Sequence, residues 1–329
     1  MKLKVCIIGQ SGHLNHVTSR FSSSCGFEIT GAALGPEGGD CQSAFEKIRG
    51  LNNLKIFSDY LTMLDELKPD IAVVAPYCSY NSQVSIECFK RKIHVFSEKP
   101  ASTTLEGLKA LKDAYSKSGV VYTTMMAMRH SVNFAAAKHA VASGRVGKIK
   151  LINLQKSYKL GNRGGMYRKR ELYGGIIPWV GSHVIDLAYW ICGERFKSAA
   201  AFCSSEAING IDNMETAASC LFTTTNGIII TASLDYLRPA AEATHGDDRI
   251  RIVGSKGIVE VKGGKAHILC DEGEQFLPAL EKSYIFDEFL KAVKGRENTL
   301  PHAKDSFYVS EVSLKARDAA DNGEIILLK

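Results

Sequence analysis

No Cys-x-x-Cys pair occurs in this chain of 329 residues, although it carries nine cysteines. They stand at positions 6, 25, 41, 78, 88, 192, 203, 220 and 270, several inside apolar segments where a thiol acts as a small hydrophobe. That scatter lacks the grouping a zinc site or disulfide framework requires, so no metal is expected and a reducing cytoplasm is the expected location. Nor does any apolar run approach the roughly 18 residues that span a bilayer. The stretch 175–193 is rich in apolar residues, but Ser182, His183 and Asp186 interrupt it. Lys2 and Lys4 precede only four apolar residues, too few for the core of a secretory leader. Repeats and low-complexity linkers are missing as well. A net charge of +6 is small for this length, and no nucleic-acid or membrane partner is expected. Arg163, Arg168, Lys169 and Arg170 do cluster, without interleaved aromatics or a nucleic-acid fold signature. The cluster reads equally as a solvated loop or as a grip on an anionic substrate.

What the sequence does contain is alternation. Leu3–Ile8 reads as a buried strand, followed by a turn and a helix to about Ser24. Phe27–Leu34 is a second strand, and Ala44–Arg49 belongs to a short helix. Ser58 is the expected cap of a helix carrying Tyr60, Leu61, Leu64 and Leu67, which stops before Pro69. Ile71–Ala75 has the length and composition of a strand buried on both faces of a parallel sheet. A helix over Ser82–Lys92, a strand at Ile93–Phe96, a helix from Ser102 to Ser118 and a strand at Val120–Thr124 complete the series. Such alternation predicts an α/β, doubly wound Rossmann domain with a parallel sheet over residues 1–124.

Beyond Met125 the rhythm changes. A helix over Asn133–Ser143 ends at Gly144. β-like segments follow at Lys148–Tyr158, Ala199–Ser205, Glu215–Thr223, Ile228–Tyr236, Arg249–Val253 and Gly257–Val261. Helices near Val180–Cys192, Lys282–Val293 and Ala303–Ala320 accompany them. Turns at Thr225–Gly227 and Gly254–Gly257 predict hairpins, hence an α+β second domain over 125–329 with a largely antiparallel open sheet.

Chemistry-bearing residues fall at the strand ends of the first domain. In Val5–His13 the strand runs into a turn where Gly9 permits the tight bend. There Ser11, Gly12 and His13 bring backbone amides toward a pyrophosphate. The spacing departs from G-x-G-x-x-G, with Ser11 at the second glycine and Leu14 at the third. The second strand ends with Gly35 where an acid usually takes the ribose hydroxyls of NAD. Glu37 is the nearest acid, and no arginine follows at once to hold a 2′-phosphate, so NAD and NADP both stay open. Glu98, Lys99 and Pro100 follow the Ile93–Phe96 strand. A lysine at the carboxyl end of a parallel strand points into the crevice where such sheets bind ligands.

The assembled pattern resembles the Gfo/Idh/MocA family, the glucose–fructose oxidoreductase and inositol dehydrogenase group. The resemblance rests on the glycine turn, the strand end Ala75-Pro76, the His94–Pro100 segment, Gly144–Ile149, Gly174-Gly175, His183 with Asp186, and Arg251–Gly257. These landmarks stand in the family's order and cover nearly the whole chain. The resemblance implies an NAD(P)-dependent oxidoreductase acting on a sugar-like or cyclitol hydroxyl or carbonyl. It also implies a homodimer or homotetramer packed through the second-domain sheet.

Transferred position by position, Lys99 matches the family's active-site lysine and His183 its acid/base. The chemistry agrees, because hydride leaving a carbinol carbon requires the hydroxyl proton to leave too. An imidazole near neutrality suits that transfer, and a lysine stabilises charge on the same oxygen. The cofactor is expected along Gly9, Ser11, Gly12, His13, Gly35, Ala75, Pro76, Asn81, Glu98 and Lys99. Substrate contacts are expected from Lys99, Arg129, Tyr158, Arg168, Trp179 and His183, with His130, Arg163, Tyr236 and His245 as further candidates. An arginine at 163, 168 or 170 facing the cleft would favour a carboxylated or phosphorylated substrate.

Two departures from the family's pattern bear on the reaction. Trp179 stands four residues before His183, where the family commonly has an aspartate. It offers an aromatic platform for a sugar ring, or packing. Asp186, three residues on and on the same helical face, is the substitute acid. Tyr77–Asn81 replaces the common Asn-x-x-His, leaving Asn81 to bond ligand or helix backbone. Two other classes of answer stand beside the dehydrogenase. One is a catalytically inactive dinucleotide-binding sensor or regulatory protein; the other is a glycosidase using transient oxidation by the nicotinamide.

Overall fold

The computed structural model describes residues 2–21, 26–41, 45, 54–163, 165–204 and 214–328. The chain forms two compact units. The first gathers Met1–Met126, Glu171–Gly174 and Tyr284–Ser310; the second gathers Ala127–Arg170, Gly175–Ser283 and Glu311–Lys329.

In the first unit β1 (Leu3–Ile8), β2 (Phe27–Ala33), β3 (Lys55–Phe57), β4 (Ile71–Val74), β5 (His94–Ser97) and β6 (Tyr122–Thr124) pair in the order β3-β2-β1-β4-β5-β6. Every pairing is parallel. This is the doubly wound order, with its switch point between β1 and β4. The central strands read as continuous apolar runs because helices cover both faces: Val5–Ile8 and Ile71–Val74 are all fully buried. Where β1 and β4 end, the connecting segments part in opposite directions and leave a crevice.

The first-unit helices α1 (Asn15–Thr18), α2 (Tyr60–Leu67), α3 (Asn81–Lys90) and α4 (Leu105–Ser116) connect these strands. Asp59 caps α2 where Ser58 was expected: its backbone is extended and its carboxylate accepts from Thr62 N at 2.7 Å. Thr104, not Ser102, caps α4, accepting from Gly107 N at 3.0 Å. The Ser102 hydroxyl lies one turn earlier and bonds the amide and carbonyl of Thr104. The helix expected to run to about Ser24 is one turn long in its described part. Its expected end, and all of Ala44–Arg49 but Phe45, lie outside the described residues.

The second unit is built on a nine-stranded sheet of order β14-β13-β12-β11-β7-β10-β9-β8-β15. Its strands are β7 (Ile149–Tyr158), β8 (Phe196–Ser204), β9 (Ala217–Thr224), β10 (Ile229–Asp235), β11 (Gly246–Gly254), β12 (Gly257–Lys262), β13 (Lys265–Cys270), β14 (Gly273–Phe276) and β15 (Ile326–Leu327). All pairings are antiparallel except β10 with β7. The two expected hairpins are β9–β10 and β11–β12. Sequence reading did not find β13 and β14: β14 is a short, polar edge strand, while β13 buries Ala266 and Ile268 in alternation over only six residues.

In this unit α5 (Val132–Ala142) packs on β12 and β13, and α7 (Ser182–Cys192) packs on β7. Between them in sequence come α6 (Arg170–Tyr173), which belongs to the first unit from Glu171 on, and a wide π-turn, Ile177–Gly181, which runs directly into α7. Pro178 has no amide to donate within that turn, and the helix becomes regular only at Ser182. The chain closes with α8 (Ile285–Val293) and α9 (Ala303–Asn322) before β15.

Candidate active site

At the end of β1, Gly9 adopts φ +83°, and a Cβ there would lie 2.3 Å from the carbonyl carbon of Ala75 and from Pro76 N. Only glycine lets the turn lie against the end of β4 in this way. The turn is fixed by Gly9 N donating to Ala33 O at 2.8 Å and Ser11 N to Ala75 O at 2.7 Å. Gly12, at φ +75°, would place a Cβ 2.3 Å from Glu98 Oε1. That oxygen accepts from the amide of His13 and lies 2.7 Å from His13 Nδ1. The other Glu98 oxygen accepts from Lys99 N at 3.0 Å. Burial alone pushes the Glu98 carboxyl up, but His13 and then Lys99 outweigh it and hold it at about 2. Glu98 is thus an ionised joint between the glycine turn and the start of the Lys99 loop. The amides at 11 and 13, expected to face a pyrophosphate, are instead given to Ala75 and Glu98.

Lys99 is buried, two residues beyond the end of β5. Asn81, at the start of α3, was expected beside the cofactor or helix backbone; its buried amide clamps the Lys99 loop from below. Nδ2 donates to Glu98 O at 3.2 Å and to Pro100 O at 2.9 Å. The glycine at 35 has a steric cause: a Cβ would lie 2.5 Å from Pro76 Cβ and 2.6 Å from Glu37 Oε2. An acid at 35 does not fit, and the acid stands two residues later. Burial raises the Glu37 carboxyl, with nearby backbone amides pulling the other way. Its Oε2 is buried with no hydrogen-bond partner among the described residues. An acceptor in want of a donor, at the end of β2, suits the hydroxyls of an adenosine ribose, so the residues present fit a dinucleotide.

In the second unit His183 is the second residue of α7 and is buried. Asp186, expected to serve it as the substitute acid, has both oxygens engaged by Arg129, whose Nε and terminal nitrogen lie 2.5–3.1 Å away. The same ion pair accounts for Arg129, expected as a substrate contact. Trp179 is also buried, meeting Tyr167 edge-on at 5.8 Å, so its rings pack in the unit and form no open platform.

Other rings and cations of this unit stack on one another. Arg163 lies over Tyr167 at 4.9 Å and over Tyr236 at 4.5 Å, and Tyr158 stacks on Tyr236 at 6.3 Å and on His245 at 5.2 Å. His130 Nδ1 lies 2.9 Å from Ser283 Oγ. Arg170 pairs with Glu215 at 2.8 Å and with Asp321 at 2.8 Å, which removes it from the arginines open to an anion. Arg168 is exposed. Sequence reading gave Glu215 only as a strand residue. Its carboxylate accepts from Ile176 N at 2.5 Å, and a Cβ on Gly175 would lie 2.7 Å from it. Glu215 therefore anchors the Gly174-Gly175 bend that feeds the π-turn before His183.

Among the described residues no group of three or more His, Cys, Asp and Glu side chains is placed to hold a metal ion, and no helix is long and apolar enough to cross a membrane. Residues 4–126 match the model of an oxidoreductase family with an NAD-binding Rossmann fold, and residues 134–260 match the GFO/IDH/MocA C-terminal domain. A myo-inositol 2-dehydrogenase of Thermotoga maritima is 25% identical over 294 residues, 83% of this chain and 85% of its own. A solved Thermotoga maritima structure described as an oxidoreductase is 41% identical, with a TM-score of 0.95 over 99% of this chain and 100% of that one. A levoglucosan dehydrogenase solved with NADH and levoglucosan is 17% identical and shares the fold, with a TM-score of 0.82 over the whole of both chains. With both halves matched, this protein belongs to the Gfo/Idh/MocA family and is an oxidoreductase with an NAD-binding Rossmann domain.

Proposed function

We propose that this enzyme moves hydride between NAD and a secondary alcohol or ketone of a neutral sugar-like or cyclitol substrate, with Lys99 and His183 as its catalytic residues. The observation that carries the reading is the buried Lys99 at the carboxyl end of β5, in a loop pinned by Glu98 on one side and Asn81 on the other. The names of relatives support the substrate class: one acts on myo-inositol and another was solved with levoglucosan.

When bound, the nicotinamide supplies the hydride acceptor. The Lys99 ammonium donates a hydrogen bond to the reacting oxygen and offsets its developing charge. His183 takes the hydroxyl proton during oxidation and returns it during reduction. Residues 1–124 hold the dinucleotide and residues 125–329 hold the substrate and a second subunit. Glu37 at the end of β2 favours NAD, since a carboxylate there repels a 2′-phosphate. Tyr158 and Arg168 remain the substrate contacts, while Arg129 acts on α7 through Asp186.

A neutral substrate is favoured because two of the three arginines are engaged, Arg170 by two acids and Arg163 on aromatic rings, which leaves Arg168 alone to donate to sugar hydroxyls. A homodimer or homotetramer is favoured by the open sheet face carrying exposed Phe202 and Leu221. A cytoplasmic location agrees with eight described cysteines that are all free thiols.

Cofactor reduction across a panel of polyols and uronates tests the reading. Lys99→Ala and His183→Ala should each lower kcat by about 10²–10⁴-fold while NAD still binds in a fluorescence titration. Undiminished turnover in Lys99→Ala ends the assignment.

A further inference from the structure

On the buried face of the second sheet, β7 and β11 match apolar side chains until the end of β7. Ile152 stands opposite Ile252 and Leu154 opposite Ile250; then Lys156 faces Asp248 and Tyr158 faces Gly246. Lys156 is only 3% exposed, and its ammonium lies 2.7 Å from Asp248 Oδ2 and 3.6 Å from Met128 Sδ. A buried ion pair carries a desolvation cost that an apolar pair of similar size avoids, so stability alone does not account for it. What this pair holds is the last residue of the strand. The ammonium sits 4.9 Å from the centre of the Tyr158 ring.

The ring is fixed from its other sides as well. Tyr236 stacks on it at 6.3 Å and His245 at 5.2 Å. Opposite it, a Cβ on Gly246 would lie 3.1 Å from Tyr158 Cε1, so a side chain there would crowd the ring. Burial raises the Tyr158 hydroxyl above the ordinary phenol range, and Lys156 pulls it back only in part. The oxygen therefore keeps its hydrogen, and the neighbouring cation polarises the O–H bond into a stronger donor.

We propose that Tyr158 is a specificity-determining residue and that Lys156 is its positioning residue. The phenol donates a hydrogen bond to one substrate hydroxyl that does not react, while Lys156, held by Asp248, keeps the ring and its dipole aimed. This rests on the oxidoreductase reading above, in which Tyr158 touches substrate, and narrows the substrate class to compounds bearing a hydroxyl at that position. The reacting oxygen stays with Lys99 and His183.

The test uses whichever of myo-inositol, methyl α-glucoside, methyl β-glucoside and methyl β-galactoside reduces NAD best, together with its monodeoxy analogues. In the wild type one analogue, besides that lacking the reacting hydroxyl, should lose at least about tenfold in kcat/KM. Tyr158→Phe should impose the same loss on the parent compound, chiefly through KM, and add nothing to the loss of that analogue. Lys156→Met with Asp248→Leu removes the ion pair without stranding either charge. It should raise the parent's KM at least about threefold, and adding Tyr158→Phe should raise it less than about twofold further. If that double variant unfolds, Tyr158→Phe with the analogues decides alone. A double variant that lowers Tm but leaves the parent-to-analogue ratio unmoved overturns the role of Lys156. Unchanged KM in Tyr158→Phe, or an equal loss with every analogue, overturns the proposal, while lost turnover in Lys99→Ala still upholds the dehydrogenase reading. Absence of NAD reduction with all four parents overturns that reading and this inference with it.

Discussion

Asp186→Asn removes one charge from an ion pair that lies inside the second unit. Arg129 is 8% exposed and Asp186 1%, and the guanidinium meets both carboxylate oxygens. Asparagine keeps the shape but withdraws the charge that Asp186 sets against the buried arginine. Breaking a buried pair by removing one partner costs about 3–5 kcal/mol. For a unit of about 150–250 residues each kcal/mol moves Tm by roughly 2–4 °C. The thermal transition of this unit should therefore fall by about 6–20 °C, read by calorimetry. Removing both partners together, as Arg129→Met with Asp186→Leu, should recover most of the loss, because a well-packed apolar pair often replaces a buried ion pair without cost. A single variant within about 2 °C of wild type would refute the reasoning, as would a double variant no better than the single. A displaced pH–rate profile in folded Asp186→Asn would return Asp186 to the role of acid partner for His183.

Gly9→Ala should cost at least about 2 kcal/mol, from a strained φ and a methyl pressed on the Ala75 carbonyl, and should weaken NAD binding at least tenfold by calorimetric titration. Asn81→Ala takes the amide donor from Pro100 O, at about 1–3 kcal/mol, while Glu98 O keeps the Ser97 hydroxyl at 2.9 Å; kcat should fall more than NAD affinity, and an unchanged kcat would detach the clamp from Lys99. Glu98 lies at about 2 in the fold against 4.5 as a free group, so its stabilising contribution is complete above pH 4.5 and lost as pH falls toward 2. Melting curves of wild type and Glu98→Gln should converge across that window; a constant gap would contradict the assignment.

Much of the fold was legible because it is written in runs. Val5–Ile8 and Ile71–Val74 are apolar throughout since both faces of a parallel sheet are covered, and the alternation of such runs with helical segments specifies the doubly wound unit. Lys99 and Asn81 were legible as positions but not as partners. Nothing local announces that the Asn81 amide reaches carbonyls 17 and 19 residues away, or that Glu98 turns back to a residue 85 positions earlier. The Arg129–Asp186 pair and the Glu215 anchor escaped for the same reason: ion pairs between distant segments leave no periodic trace. Where the signal was a short polar strand, as at β14, pattern reading had nothing apolar to count.

The Glu98 joint has a consequence for anyone redesigning this protein. Positions 12, 13 and 98 form a single lock of three tumblers: one supplies room, one supplies two donors, and one supplies the anion that both require. Grafting in a turn without a histidine at 13 would take a donor from a buried carboxylate and slacken the peptide that carries the reactive amine. Exchange of the nucleotide loop therefore has to be made across strands, with residue 98 chosen in the same step.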